Sequence, residues 1–114
     1  MEMKVVRESD DLTYVALAGS LDVAGVKEIE TKFETYITSR MKPVIVDMSQ
    51  VTYLASLGMR MLLRVARVLK PSGGKLVVLK PKPLVVEALR LASLDQVFGI
   101  AHDEEKAVEF VLGA

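Results

Sequence analysis

Ser56 stands alone between Ala55 and Leu57 in the run DMSQVTYLASLGMRMLL, residues 47–63. A hydroxyl at the mouth of a helix has three uses: cap, nucleophile or phosphate acceptor. As a cap, its oxygen accepts a first-turn amide. As an acceptor, it sits where free amides and partial positive charge welcome an anion. A nucleophile needs a base and a group to orient that base. The one histidine is His102, and the turn is not G-x-S-x-G, so the sequence argues against a hydrolase. Asp22 and Asp47 each follow an apolar, strand-like segment. Asp22 is placed to cap a long helix, and Asp47 to brace the loop before Ser56. Two carboxylates alone define no metal or acid–base site. PSGGKL, residues 71–76, lacks the G-x-x-x-x-G-K-[ST] spacing and joins a helix to a strand, so it reads as a turn. Arg60, Arg64 and Arg67 share one helical face. Such a stripe is a solvated face or part of a docking surface, and Arg60 is within reach of a phosphate on Ser56.

These residues need elements to hold them. MKVVRES and LTYVALAG read as two strands, with Asp10 and Asp11 supplying a hairpin turn. The second is apolar on both faces and so belongs inside a covered sheet. From Asp22 to Arg40, the spacing of Val26, Ile29, Phe33, Tyr36 and Ile37 predicts a helix with one apolar stripe. KPVIVDMS is a short buried strand that ends near Asp47. A helix follows from about Gly58 to Lys70, apolar at Met59, Leu62, Leu63, Ala66 and Leu69 and stopped by PSGG. KLVVLK is another strand. Pro83 opens a helix, QVFGIA is extended, and Asp103 caps a final helix that closes near Gly113. The order ββαβαβα(β)α predicts an α/β domain over residues 1–114, a mixed sheet with helices.

Composition narrows the function. Fifteen basic and fifteen acidic residues cancel, without the basic bias of a nucleic-acid binder. With three Phe, three Tyr and no Trp, base-stacking surfaces are scarce. No cysteine is present, which excludes thiol catalysis and cysteine-ligated zinc and fits a reducing compartment. MEMKVVRESDD lacks the apolar core of a signal peptide, and VIV and LVVL are too short to span a bilayer. The expectation is a cytoplasmic, non-enzymatic chain without a cofactor, metal, membrane or nucleic-acid partner.

VIVDMSQVTYLASLGMRMLL resembles the signature of the STAS domain of bacterial anti-sigma factor antagonists: a buried strand, D-L-S-x-V, an aromatic, then D-S-S-G-L and an apolar helix. Asp47, Ser49, Val51, Tyr53, Ser56 and Gly58 match position by position. LAGSLDVAGV resembles the L-x-G-x-L-D segment at Gly19, Leu21 and Asp22, and the resemblance continues through residues 73–108. It implies a partner switch. The unphosphorylated protein would bind an anti-sigma factor that is also a serine kinase of the histidine-kinase-like ATPase fold. The kinase, with ATP and magnesium, would phosphorylate Ser56 and break the complex, and a metal-dependent serine phosphatase would restore it. The implied contact surface comprises Asp22, Leu54, Ala55, Leu57, Gly58, Met59 and Arg60; Leu54 and Leu57 either pack inward or present a dry rim. Two positions depart from the pattern: Ala55 replaces the usual Asp, and Leu57 the second Ser, leaving Ser56 the one acceptor in this turn. The other readings are a constitutive scaffold subunit of a larger signalling or transporter complex and, ranked last for want of a phosphate loop, a nucleotide-binding domain.

Overall fold

Residues apolar on both faces of a strand demand cover from two sides, and the chain supplies it. In the computed structural model, which describes residues 1–113, a five-stranded sheet has the order β1-β2-β3-β4-β5. The strands are β1 (Glu2–Glu8), β2 (Thr13–Leu21), β3 (Val44–Leu54), β4 (Leu76–Leu79) and β5 (Gly99–Ala101). The first pair is antiparallel and the remaining pairs are parallel. Helices α1 (Val23–Arg40), α2 (Ser56–Leu69) and α3 (Pro83–Leu91) cover one face, where Val15, Leu17, Val46, Met48 and Val78 point. Helix α4 (Glu104–Leu112) covers the other, packing Ala107 and Val111 near Tyr14, Ile45, Val77 and Leu79. The period-two alternation of a strand sorts these residues into two cores. The expected α/β order is therefore present, with β5 as its last strand.

Local chemistry explains several boundaries. The hairpin turn is held by Ser9, whose Oγ accepts from the amides of Asp11 and Leu12, both at 3.2 Å, rather than by the side chains of Asp10 and Asp11. On β1 only Met3 is buried, and charged residues line this edge strand, which discourages pairing with another chain. QVFGIA is extended only over Gly99–Ala101; Gln96 ends a 3-10 turn and Phe98 packs into the core. The stripe of α2 is rotated from the one expected. Gly58, Met61, Leu62, Val65 and Leu69 are buried, while Met59, Leu63 and Ala66 are half-buried. The rotation follows from packing on α1 as well as on the sheet. Arg64, in the middle of the arginine stripe, donates to Glu34 of α1 at 2.8 Å.

The strand carrying Asp47 runs seven residues farther than its apolar run indicated, to Leu54. Its register against β2 explains why. Ala16 pairs with Asp47 but Ala18 with Gln50, and Gly19 pairs with Val51 but Ser20 with Tyr53. Each step inserts one extra residue in β3, so two bulges break the alternation. Asp47 lies at the first. Its Oδ1 accepts from the Ser49 amide at 2.8 Å, giving a partner to a donor beside the register shift. Asp47 thus braces a bulge inside the strand and not a loop before Ser56. Asp47→Ala is expected to destabilise the fold by about 1–2 kcal/mol through the lost acceptor, and Asp47→Asn, which keeps an oxygen there, by clearly less. Denaturant unfolding of both variants checks this.

Candidate functional site

The parallel strands β2 and β3 end together: Ser20 pairs with Tyr53 and Leu21 with Leu54. One residue on, the Ala55 amide donates to the Leu21 carbonyl at 2.9 Å. Both strands turn at once into helices, α1 at Val23 and α2 at Ser56. Two helix N-termini therefore emerge side by side at the carboxyl ends of the strands.

The two turns are capped differently. At α1, Asp22 Oδ1 accepts from the Gly25 amide at 2.8 Å, and Oδ2 accepts from the Ser20 hydroxyl at 3.2 Å. At α4, Asp103 likewise accepts from the Lys106 amide at 2.8 Å. At α2 the cap position belongs to Ala55, in extended conformation with φ −92° and ψ 172°, and no side chain caps the helix. Ser56 is the first helical residue, so the capping role expected of it is not the one it has. The first intrahelical bond runs from the Met59 amide to the Ala55 carbonyl at 3.1 Å. The amides of Ser56, Leu57 and Gly58 therefore lack an intrahelical acceptor. The Ser56 hydroxyl is exposed beside them and makes no side-chain hydrogen bond among the described residues. Free amides at a helix start carry partial positive charge and favour a nearby anion.

Packing sets what surrounds the hydroxyl. Leu54 is 5% exposed and belongs to the core, and Gly58 is buried. Of the two options for Leu54, inward packing is realised. Leu54 and Gly58 shape the rim from beneath and are not surface. A Cβ on Gly58 would lie 3.1 Å from Leu21 Cβ and 3.3 Å from the Leu21 carbonyl oxygen, so glycine lets α2 start directly against the end of β2. Asp22, Ala55, Leu57 and Met59 are half-buried around Ser56, and Arg60 is exposed without an ion pair among the described residues. Two apolar residues outside the implied contact surface are also exposed at this rim, Tyr53 at 56% and Val23 at 52%. The second bulge turns Thr52 and Tyr53 outward together, a consequence of strand pairing that strict alternation hides. His102 lies beyond β5, two strands away from β3 in the sheet order, and lines a separate groove with Pro81 and Pro83. Among the described residues no group of three or more His, Cys, Asp or Glu is arranged to hold a metal ion.

The Gly25 amide, foremost, holds the Asp22 carboxyl below the ordinary carboxylate range, with the Ser20 hydroxyl adding to it against a smaller effect of burial. A depressed folded pKa gives stabilisation that is complete above the unfolded value of about 3.9 and is lost as pH falls through the folded value. Asp22→Asn should flatten this acid limb in a pH series of melting temperatures by lowering the plateau above it, with the shape of the alkaline side unchanged. Ala55 gives a complementary expectation. Ala55→Asp supplies the missing cap and should stabilise the protein by about 1 kcal/mol in thermal unfolding.

The chain is thus an α/β layered domain with an exposed hydroxyl, Ser56, at an uncapped helix start. Residues 3–107 match the STAS domain family, and the chain belongs to it. BtrV of Bordetella bronchiseptica, assigned as an anti-sigma factor antagonist, is 26% identical over 98 residues, covering 86% of this chain and 84% of its own. The anti-sigma factor antagonist SpoIIAA in its unphosphorylated form superimposes with a TM-score of 0.79 at 22% identity, covering 95% of this chain and 94% of its own. The phosphorylated form of SpoIIAA, a Bacillus cell fate determinant, gives 0.70 at 21% identity, covering 95% of this chain and 97% of its own. No helix among the described residues is long and apolar enough to cross a membrane.

Proposed function

We propose that this protein is an anti-sigma factor antagonist that works in the cytoplasm by phospho-regulated partner switching. Unphosphorylated at Ser56, it binds an anti-sigma factor that is also a serine kinase of the histidine-kinase-like ATPase fold. Phosphorylation of Ser56 releases it, and a metal-dependent serine phosphatase resets it. The protein itself performs no catalysis. The observation that carries this reading is the exposed Ser56 hydroxyl at a helix N-terminus with no side-chain cap. A phosphate there adds about −1.5 to −2 charges beside unpaired amides, which the local fold tolerates. A partner covering Val23, Tyr53, Leu57 and Met59 must bury that dianion against apolar surface, which is costly without a matching cation. Arg60, one turn along α2, is the nearest cation in sequence on the same helix and offers a charge-assisted contact to the phosphate. An Arg60→Ala variant whose phosphorylated form is as stable as the phosphorylated wild type contradicts that contact.

The runner-up is a constitutive scaffold subunit of a larger signalling or transporter complex. It draws on Ala55 and Leu57, which alter the residues a kinase would read beside the hydroxyl. Titration with a kinase encoded beside this protein separates the two. Partner switching predicts binding by both wild type and Ser56→Ala, and release of the wild type alone on adding ATP and magnesium. Release of neither, or equal release of both, supports the scaffold.

A further inference from the structure

At the pole of the sheet opposite Ser56 lies a groove of about 640 Å³, between the end of α2, the start of β4 and helix α4. Its size falls in the range of small-molecule sites, roughly 300–1,000 Å³. Buried Leu76 and Phe98 form the floor, and Val97 and Phe110, 52% and 40% exposed, form apolar lips. The remaining charge is of one sign. Arg67, Lys70 and Lys75 line the groove with no acidic residue, and none of the three is ion-paired among the described residues. Arg67 and Lys70 sit in or just past the last turn of α2, where the helix dipole favours cations. That explains two of the charges. Lys75 stands at the end of α4 instead, its ammonium donating to the Gly113 carbonyl at 3.4 Å and lying 5.4 Å from the centre of the Phe110 ring; neither helix end explains why an apolar floor lies between the three cations. The other groove of similar size, beside His102, mixes Glu87 with Arg90 and shows no such polarity.

We propose that this groove binds a monomeric anionic amphiphile, a small molecule with a carboxylate or similar acidic head and an apolar body. The head meets Arg67, Lys70 and Lys75, and the body lies between the exposed side chains of Val97 and Phe110, above Leu76 and Phe98. The proposal is independent of the Ser56 switch, because the groove opens at the other ends of the same strands. Titration of the full chain with sodium decanoate, followed by amide chemical shifts, tests it. The expected result is saturable shifts confined to Gly73–Leu76, Phe98 and Phe110. 1-Decanol should bind at least about fivefold more weakly, and Arg67→Gln and Lys75→Gln should each weaken decanoate by about two- to fivefold, as for exposed ion pairs. Added salt should weaken it further. Lys32→Gln, which removes an exposed cation on α1, should change nothing. Three results would overturn the proposal: no saturable shifts, equal binding of decanoate and decanol, or binding only to phosphatidylglycerol vesicles with none to free decanoate.

Discussion

Phosphorylated at Ser56, the protein should bind its kinase partner at least about 100-fold more weakly than the unmodified form, a loss of roughly 2.7 kcal/mol. Its melting temperature should move by only a few degrees. The two expectations come from opposite sides of the same residue. On the protein side, the first amides of α2 have no side-chain cap. A phosphate near them gains from the helix dipole by about 0.3–1 kcal/mol. On the partner side, Val23 and Tyr53 are exposed apolar groups, and Leu57 and Met59 are half-buried. A partner that dries this rim must strip water from a dianion, and the carboxylate of Asp22 in the neighbouring turn repels it. The coupling therefore appears in binding and hardly at all in stability. Calorimetric titration of both forms against the kinase, with thermal melts of each alone, checks both halves.

Gly25→Ala should destabilise the protein by about 3 kcal/mol, the upper end of overpacking costs. A Cβ at this position would lie 2.0 Å from the Ser20 carbonyl oxygen, inside any permitted contact. The obstacle is backbone, so no rotamer change relieves it, and α1 must shift away from the end of β2. The Asp22 cap is made to the amide of this same residue, so it should weaken with the shift. The gain in helix propensity from Gly to Ala, about 1 kcal/mol, is too small to offset the overlap. Denaturant unfolding measures the loss. A parallel loss of kinase binding at concentrations where the variant remains folded would tie the rim to the geometry of this turn. By comparison, a Cβ on Gly58 meets its nearest atom at the flexible end of Leu54, so Gly58→Ala should be milder.

Much of this arrangement was legible in the residues. The stripe of α1, the caps at Asp22 and Asp103, Pro83 at the start of α3 and the burial of β2 on both faces each follow from local patterning. What the residues hid belongs to pairing between strands. The two extra residues of β3 appear only against the register of β2, and they extend the strand, place Asp47 inside it and turn Tyr53 outward. Helix α2 starts two residues before Gly58, and the residues hide this because Ala55 at its cap position carries no capping signal. That same absence makes Ser56 the first helical residue rather than the cap. Leu54 and Leu57 look alike in sequence, but Leu54 ends β3 facing the core while Leu57 lies in the first turn of α2 at the rim.

Partner switching requires that Ser56 accept a phosphate. Incubation with the cognate kinase, ATP and magnesium, read by intact mass for wild type and Ser56→Ala, tests it most directly. One added phosphate is expected on the wild type and none on the variant. An unmodified wild type with a kinase shown to be active, or a phosphate that persists in Ser56→Ala, would contradict it.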